Sequence, residues 1–338
     1  MPGRPERLAL SARVGARGRA LFDRLEIESE PRGRPGRSLP DFVYVRYGLP
    51  GGDPADQVVL VPAREDEQFL RVVVQPGFDD GVVPVPRVVA DERRVGLLRI
   101  FVQCPMACQF CATGREGLAR NLTAAEIISQ VALVQEDFQE RVSNVVVMGQ
   151  GEPFLNYDEV LTALRILNSR DDFNIGARHI TLSTCGIIDG IDRLSQEPEQ
   201  FTLAVSLHSA LQEKRDQLMP KVAKQPLSNL KKAVERYTQS TNRRVSFEYL
   251  LIKDINDSEE DLQALLDFCD GLLCHVNLLP VNTVEGSPLQ AASPATAKHW
   301  VETLTHHGVE TSFRKSRGAD IDGACGQLKN KLAQGALR

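Results

Sequence analysis

Short runs of β-branched and other apolar residues alternate with longer amphipathic segments along most of this chain beyond residue 120. Runs with the length and composition of buried strands are NVVVMG, HITLST, FTLAVSLH, RVSFEYLLI, HVNLLPV and ETSFRKS. The segments between them have helical spacing and are YDEVLTALRILN, DGIDRLSQ, SNLKKAVERYTQ, EEDLQALLDFCDGL and ATAKHWVETLTHHG. A buried strand followed by a helix, repeated several times, predicts a parallel sheet with helices packed outside it.

Six or seven strand–helix units are present when the run LLRIFVQ is taken as the first strand. That number is too large for a small flavodoxin-like sheet and too small for a closed eight-fold barrel. The sequence therefore predicts an α/β fold, a partial (β/α)6 TIM-like barrel that ends in a terminal helix, CGQLKNKLA. In such a barrel the functional groups lie at the C-terminal ends of the strands.

The first helix of this series, LTAAEIISQVALVQEDF, carries a start signal of its own. Thr123 stands at the N-cap position and Glu126 follows three residues later, which is the pattern of a capping box.

Three regions are predicted along the chain. Residues 1–40 form a basic flexible arm with nine arginines, which is either a solvated tail or a contact for RNA. Residues 41–92 form a small β-rich accessory region, because the runs FVYVRYG, QVVLVP, FLRVVVQP and VVPVPRVV are punctuated by glycine and proline. Residues 93–338 form the barrel core together with a C-terminal segment that contains Cys325.

Composition excludes several classes of protein. The net charge of -5 over 338 residues gives no global nucleic-acid signature, although local basic stretches remain. A run of roughly 18 apolar residues is missing, so no membrane span is expected. The arginine-rich N-terminus lacks the apolar core of a secretory signal, and an organellar transit peptide is the alternative. Seven cysteines without a disulfide-like spacing predict a cytoplasmic protein with reduced thiols.

Three of these cysteines stand within eight residues and have the spacing C-x3-C-x2-C: Cys104, Cys108 and Cys111. Three thiolates hold a structural zinc only if a fourth ligand arrives from elsewhere. They also suit a [4Fe–4S] cluster that keeps one iron open for a small molecule. Inert packing of three cysteines is a weaker alternative, because a loop flanked by proline and glycine makes a poor core. We favour the open iron–sulfur cluster.

The spacing, with an aromatic residue before the third cysteine, resembles that of the radical S-adenosylmethionine (SAM) superfamily. Within it, QCPMACQFCATGREGLARNLTAAEIISQV is similar to the cluster segment of the RlmN/Cfr family of RNA adenine methyltransferases. Further segments match in the family's order and are MGQGEPFLNYDEV, HITLSTCG, AVSLHSA, FEYLLIKDINDS, VNLLPVN and RKSRGADIDGACGQL. The resemblance covers about residues 93 to 338 and implies a radical SAM barrel.

The resemblance implies a specific chemistry and a specific pocket. SAM chelates the open iron, and one electron from the reduced cluster cleaves it to a 5′-deoxyadenosyl radical. The residues carried over to the SAM pocket are Gly151, Glu152, Ser183, Ser206, Leu207, His208 and Asn282. Each of them falls near the C-terminal end of a predicted strand, and Glu152 offers an acceptor for the ammonium group of SAM.

Cys325 precedes the predicted terminal helix, where a thiol can have a lowered pKa and act as a nucleophile; a buried structural cysteine is the alternative. By resemblance it is the methyl-carrying cysteine, whose S-methyl group becomes the radical that adds to C2 or C8 of adenine in rRNA or tRNA. The neighbouring Arg314, Lys315 and Arg317 either contact RNA phosphates or form a solvated charge run.

The family pattern is broken at two positions. Leu97 stands where the family has a cysteine that resolves the protein–RNA intermediate, and ungapped counting places Pro84 where it has a proton-accepting glutamate. We expect Cys185 or an external thiol to take over the resolving step. Cys269 and Cys274 flank the end of a predicted helix and are expected in the core.

Two alternatives to an RNA methyltransferase remain at this point. Because of Leu97, the chain is alternatively a radical SAM enzyme with a changed reaction or acceptor. A non-catalytic iron–sulfur RNA-binding module is the third interpretation, and retention of Cys325 argues against it. For the enzyme we expect a reducing partner such as flavodoxin or ferredoxin, a monomeric state and no membrane association.

Overall fold

The computed structural model describes the backbone of six strands before residue 98, and then residues 101–115, 117–138, 141–282 and 286–314. Three predicted functional residues, Lys315, Arg317 and Cys325, lie outside the described residues, as does the predicted terminal helix CGQLKNKLA.

The first five strands form an antiparallel sheet in the order β1-β2-β3-β4-β5. They are β1 (Leu25–Ser29), β2 (Val43–Tyr47), β3 (Gln57–Val61), β4 (Phe69–Val74) and β5 (Val83–Pro86). Strands β2 to β5 coincide with the four β-branched runs of the predicted accessory region. Strand β1 lies inside the segment predicted as a flexible arm, and the prediction missed it because LEIES is short and is surrounded by arginines.

The run LLRIFVQ does not form the single barrel strand that the sequence predicts. Val95–Leu97 (β6) enters the parallel sheet beside Asn144–Val147 (β9). Phe101–Cys104 (β7) pairs instead with Gly117–Asn121 (β8) as a separate antiparallel ribbon, with a register shift at Val102/Gln103. The pairing of β7 with β8 brings the two ends of the cysteine segment together. The chain therefore leaves the parallel sheet before it reaches Cys104.

The main sheet has seven strands in the order β6-β9-β10-β11-β12-β13-β14, and every neighbouring pair is parallel. Its remaining strands are β10 (Ile180–Thr184), β11 (Thr202–Ser206), β12 (Val245–Leu251), β13 (Cys274–Pro280) and β14 (Glu310–Phe313). Among the described strands the two edges, β6 and β14, do not pair with each other, so the barrel is partial, as predicted.

Helices connect these strands at the predicted places. They are α1 (Ala124–Phe138), α2 (Tyr157–Asn168), α3 (Ile188–Leu194), α4 (Gln212–Leu218), α5 (Leu227–Thr241), α6 (Glu259–Cys269) and α7 (Pro294–His306). Only α4 lacks a counterpart among the predicted helices. The capping box at the start of α1 is confirmed: Glu126 accepts from the Thr123 N–H at 2.9 Å, and its own N–H donates to Thr123 Oγ1 at 3.3 Å.

The core sits between the sheet and its helices. Leu203, Ala204 and Val205 are consecutive residues of β11 and all are fully buried, as expected for a strand covered on both faces. Trp300 of α7 packs on Tyr249 of β12 with ring centroids 5.3 Å apart. A second, smaller apolar cluster lies at the cysteine segment and includes Cys104, Met106, Cys108, Phe110, Leu218 and Met219.

Cys269 is buried as predicted, and its thiol forms a hydrogen bond with that of the half-buried Cys274. Among the helices in the described ranges, none combines the length and the apolar composition that a membrane crossing requires.

Candidate active site

The cysteine segment is a tight loop between β7 and β8. Ala107 has a left-handed backbone with a φ of 53°, and the Cys111 N–H donates to the Cys108 carbonyl at 3.1 Å. Gly114 closes the loop, because a Cβ there would lie 2.9 Å from the Cys108 nitrogen and 3.2 Å from the Ala107 Cα. The three cysteines therefore lie on one tightly turned stretch of backbone.

Two contacts seat this loop at the C-terminal edge of the main sheet. The Gln109 N–H donates to the carbonyl of Leu218, the last residue of α4, at 3.0 Å. The ring of Phe110 meets the imidazole of His208 edge-on, with centroids 4.5 Å apart. The aromatic residue before the third cysteine therefore joins the loop to the end of β11.

The three predicted metal ligands lie close enough to influence one another's ionisation. Burial raises the pKa of the Cys104 thiol to about 12, with smaller contributions from Cys108 and Cys111. Burial likewise raises the pKa of Cys111, and both sulfurs accept backbone hydrogen bonds, from Met106 for Cys104 and from Gly114 and Thr113 for Cys111. Donors aimed at the sulfurs stabilise thiolates, which iron binding has to create from these thiols.

The glycine turn after β9 places Glu152 beside the C-terminal end of β10, close to the cysteine segment. Gly151 has a φ of 116°, a conformation that side chains rarely adopt. Glu152 is buried, and its carboxylate accepts the N–H of Phe154 at 3.1 Å and the N–H of Cys185 at 2.5 Å. Burial raises the pKa of this carboxyl group, and these backbone donors oppose the shift. Glu152 thus links the turn after β9 to the end of β10, in addition to the role toward SAM that the sequence predicts for it.

The other predicted pocket residues reach the same edge of the sheet. Ser183 is the penultimate residue of β10, Ser206 ends β11, and Asn282 follows β13 by two residues; all three are partly buried. Leu207 differs from them, since its side chain is fully buried in the core and its N–H donates to the Glu248 carbonyl at 3.0 Å. Leu207 therefore offers the pocket its backbone rather than its side chain.

His208 is held in one orientation and one protonation state. It has a left-handed backbone with a φ of 56°, and Asn256 donates to its carbonyl at 2.5 Å. Its Nδ1 accepts the Leu250 N–H at 3.1 Å, so the proton of the neutral ring is on Nε2. Burial, with a smaller contribution from Arg215, lowers the pKa of His208 to about 3. The imidazole is therefore a neutral donor at physiological pH.

Known proteins share the sequence that builds this site. Residues 98–269 match the sequence profile of the radical SAM superfamily. Over 254 residues the chain is 46% identical to the probable dual-specificity RNA methyltransferase RlmN of Clostridium novyi, covering 75% of this chain and 74% of that one. The RlmN of Clostridium beijerinckii is 45% identical over 265 residues, which cover 78% and 73% of the two chains. The chain belongs to the RlmN family.

Solved structures agree with the radical SAM fold of this RlmN-family protein. A radical SAM methyltransferase from Sphaerobacter thermophilus is 36% identical and superimposes with a TM-score of 0.69, covering 87% of this chain and 82% of that chain. SuiB of Streptococcus suis, solved with bound S-adenosylmethionine, is 14% identical with a TM-score of 0.50 and supports the fold alone. As a radical SAM enzyme, this RlmN-family protein uses a [4Fe–4S] cluster and SAM.

The donor set of the RlmN-family protein fits such a cluster. The three cysteines lie on one tight loop, and the sulfurs of Cys104 and Cys111 accept backbone N–H groups. In the described part of the chain, no three Cys, His, Asp or Glu side chains converge on a point that a single ion can occupy. This arrangement gives no support to the zinc alternative, which needs four ligands around one ion, whereas a cluster distributes its thiolates over separate irons.

Two further residues at the site are not among the predicted ligands of this RlmN-family protein. The thiol of Cys185 hydrogen-bonds with that of Cys108, and this contact and burial raise the pKa of Cys185 well above its usual value. Arg215 of α4 is 1% exposed and donates from Nη2 to the Cys185 carbonyl at 2.7 Å. The segment QEKRDQL has too few apolar residues to signal either a helix or a buried arginine.

Proposed function

We propose that this RlmN-family protein methylates an adenosine carbon, C2 or C8, in ribosomal or transfer RNA by way of a methylated Cys325. The observation that carries the proposal is the seating of the three-cysteine loop on His208 and α4, at the edge of the sheet where the Gly151–Glu152 turn lies. The relatives named as RNA methyltransferases support RNA as the substrate class.

Cys104, Cys108 and Cys111 would hold the cluster, and the open iron would take the amino and carboxylate groups of SAM. When bound, the pair supplies a one-electron cleavage that yields a 5′-deoxyadenosyl radical. The protein contributes the position of SAM and a site closed to water. The packing of the buried Phe110 on His208 suits that task.

Several groups at the sheet edge suit the parts of SAM. The Gly151 turn allows close backbone approach, and the carboxylate of Glu152, which also accepts hydrogen bonds from the side chains of Thr184 and Cys185, would offer its negative charge to the ammonium group of SAM. The neutral His208 would donate from Nε2, because its Nδ1 is already engaged by Leu250. Ser183, Ser206 and Asn282 provide hydroxyl and amide groups for the adenosine and carboxylate, with the backbone of Leu207 between them.

Cys325 would receive a methyl group from a first SAM, which leaves as S-adenosylhomocysteine. A hydrogen atom then passes from this S-methyl group to the 5′-deoxyadenosyl radical made from a second SAM. The carbon radical would add to the adenine ring, and the adduct would return one electron to the oxidised cluster. A thiol would then attack the Cys325 sulfur to form a disulfide as the carbon–sulfur bond breaks, and the released methylene carbon would take up a proton while the adenine carbon gives up its own. Because Leu97 stands at the family's resolving position, we assign this step to Cys185 or to an external thiol.

The finer assignments complete the proposal. We infer a basic arm over residues 1–40, within which β1 lies, a β-rich accessory region over 41–92, and a radical SAM core with the catalytic-cysteine segment over 93–338. Arg314, Lys315 and Arg317 are proposed to contact RNA phosphates. A flavodoxin or ferredoxin would deliver the electron to a monomeric, cytoplasmic enzyme, in keeping with the six free cysteines of the described residues.

The test is anaerobic reconstitution with iron, sulfide, SAM and dithionite, followed by mass analysis of added ribosomal and transfer RNA. We expect 5′-deoxyadenosine and methyladenosine from the wild type, and neither product from Cys108→Ala. Cys325→Ala should yield no methyladenosine although it retains the cluster. Iron-loaded wild type that forms no 5′-deoxyadenosine with SAM would overturn the proposal.

A further inference from the structure

Arg215 is a buried cation without an ion-pair partner. Its side chain is 1% exposed, and the hydrogen bond to the Cys185 carbonyl uses one of its five donors. The Nε atom has no hydrogen-bond partner, and no carboxylate of the described residues forms an ion pair with the guanidinium. A buried charge is costly to the fold unless groups of opposite charge lie near it. The carboxylate of Asp216 acts on this guanidinium without forming an ion pair with it, so a further anion beside Arg215 would stabilise it.

The groups around the guanidinium identify the side from which that anion would come. The thiols of Cys185 and Cys108 lie within its electrostatic range, as do the imidazole of His208 and the carboxylate of Asp216, which accepts a hydrogen bond from Gln212. The backbone folds closely over it, since a Cβ on Gly186 would lie 3.1 Å from Nη2. Arg215 is therefore fixed beside the cysteine loop, on the side of Cys108.

A [4Fe–4S] cluster bound by this loop would supply negative charge beside Arg215. Three thiolates outweigh the positive charge of an oxidised [4Fe–4S] core, so the bound cluster carries net negative charge. Reduction adds one electron, taken from an external reductant, and no proton. The negative charge beside Arg215 thus increases at the reduction step, and a fixed cation in a water-poor site favours the more negative state.

We propose that Arg215 is the buried counter-ion of the cluster, a positioning residue that raises its reduction potential. The proposal rests on the proposed function only in requiring a cluster at the three cysteines. It concerns electron uptake, which precedes any contact with RNA.

The experiment compares the reduction potentials of reconstituted full-length variants, without SAM or RNA. Electron paramagnetic resonance follows the reduced cluster during a redox titration with titanium(III) citrate. We expect Arg215→Gln to shift the potential to more negative values, and Arg215→Lys to stay near the wild type. The matched control is Arg243→Gln. Arg243 also has an unpartnered Nε, but it donates to the carbonyls of Glu199 and Phe201 at the opposite, N-terminal edge of the sheet.

Equal potentials for wild type and Arg215→Gln, at equal iron and sulfide content, would overturn the proposal. If Arg215→Gln does not retain iron, the lysine variant decides. Retention of the cluster at near wild-type potential by Arg215→Lys supports a role for charge, whereas its loss assigns Arg215 to the shape of the loop and overturns the proposal. Because no methylation is measured, a shift of potential appears even if RNA is not the substrate.

Discussion

The Nδ1 atom of His208 accepts the backbone N–H of Leu250 at 3.1 Å, which joins the second residue after β11 to the penultimate residue of β12. This hydrogen bond requires an unprotonated Nδ1, and burial makes a second proton on the ring unfavourable. The same imidazole contacts Phe110, so its protonation state is linked to the seating of the cysteine loop.

The first prediction concerns the pH dependence of stability. His208 has a pKa of about 3 in the folded state and about 6.5 when unfolded. Between these values the unfolded chain binds more protons, so stability falls as pH decreases through 6.5 and continues to fall toward 3. Between pH 7 and pH 5 we expect a loss of about 2 kcal/mol in the free energy of unfolding.

Denaturant unfolding at these two pH values checks the prediction. His208→Gln should reduce the loss between pH 7 and pH 5, because glutamine does not titrate. His299→Gln, at an exposed position of α7, should leave it as in the wild type. An unchanged pH dependence in His208→Gln would assign the loss to other groups.

The second prediction concerns metal binding by the loop. Cys104→Ala, Cys108→Ala and Cys111→Ala should each lose most of the bound iron, because every thiolate anchors a separate corner of the cluster. Cys269→Ala is the control, since that buried thiol bonds only with Cys274 in the core. Iron and sulfide assays after anaerobic reconstitution measure the effect. Full iron content in the Cys108 variant would contradict the assigned ligand set.

The third prediction concerns the turn that precedes Glu152. Gly151→Ala forces a side chain onto a backbone with a φ of 116°, at a strain of about 1–3 kcal/mol. Relief of that strain would move the turn, so we expect SAM binding to weaken by about tenfold or more. Equilibrium dialysis with the reconstituted protein measures the dissociation constant.

Gly308→Ala is the matched control for the turn. Gly308 has a φ of 82° and open space around its Cβ position, in the connection between α7 and β14. The substitution should cause comparable strain without changing SAM affinity. Equal affinities in both variants and the wild type would remove the Gly151 turn from the SAM site.

The fourth prediction concerns resolution of the RNA adduct. If the thiol of Cys185 performs this step, Cys185→Ala should accumulate RNA bound covalently to protein in a thiol-free buffer, whereas the wild type should not. Denaturing electrophoresis of the reaction mixture detects the adduct, and Cys274→Ala serves as the control. Equal turnover by wild type and Cys185→Ala in this buffer would exclude Cys185, whereas turnover by the variant only after a small thiol is added would assign the step to an external thiol when Cys185 is missing.

Periodicity predicted the barrel because the buried strands are nearly continuous apolar runs, of which Leu203, Ala204 and Val205 are an example. It also predicted the capping box of α1, since Thr123 and Glu126 act locally. The division of LLRIFVQ between two sheets was not predictable, because it depends on pairing with β8 and β9, which lie later in the chain.

The same distinction separates the predicted site residues from the missed ones. The cysteines and the glycine turn could be identified from the sequence because their function depends on their spacing. Arg215 could not be identified in this way, because a charged residue in a short polar helix is ordinarily exposed. Its burial follows from packing against the Cys185–Gly186 turn. Cys185 was expected near the pocket, whereas its contacts with Cys108, Glu152 and Arg215 follow from the fold.

The hydrogen bond from Gln109 to Leu218 has a consequence for how the enzyme matures. Its two partners are separated by more than one hundred positions, with three parallel strands between them. During synthesis the three cysteines are translated well before α4, the helix that their loop contacts. We therefore expect the iron–sulfur cluster to be loaded in the cell after α4 has been translated. A truncated product that ends before α4 would expose the thiols without the helix that holds their loop.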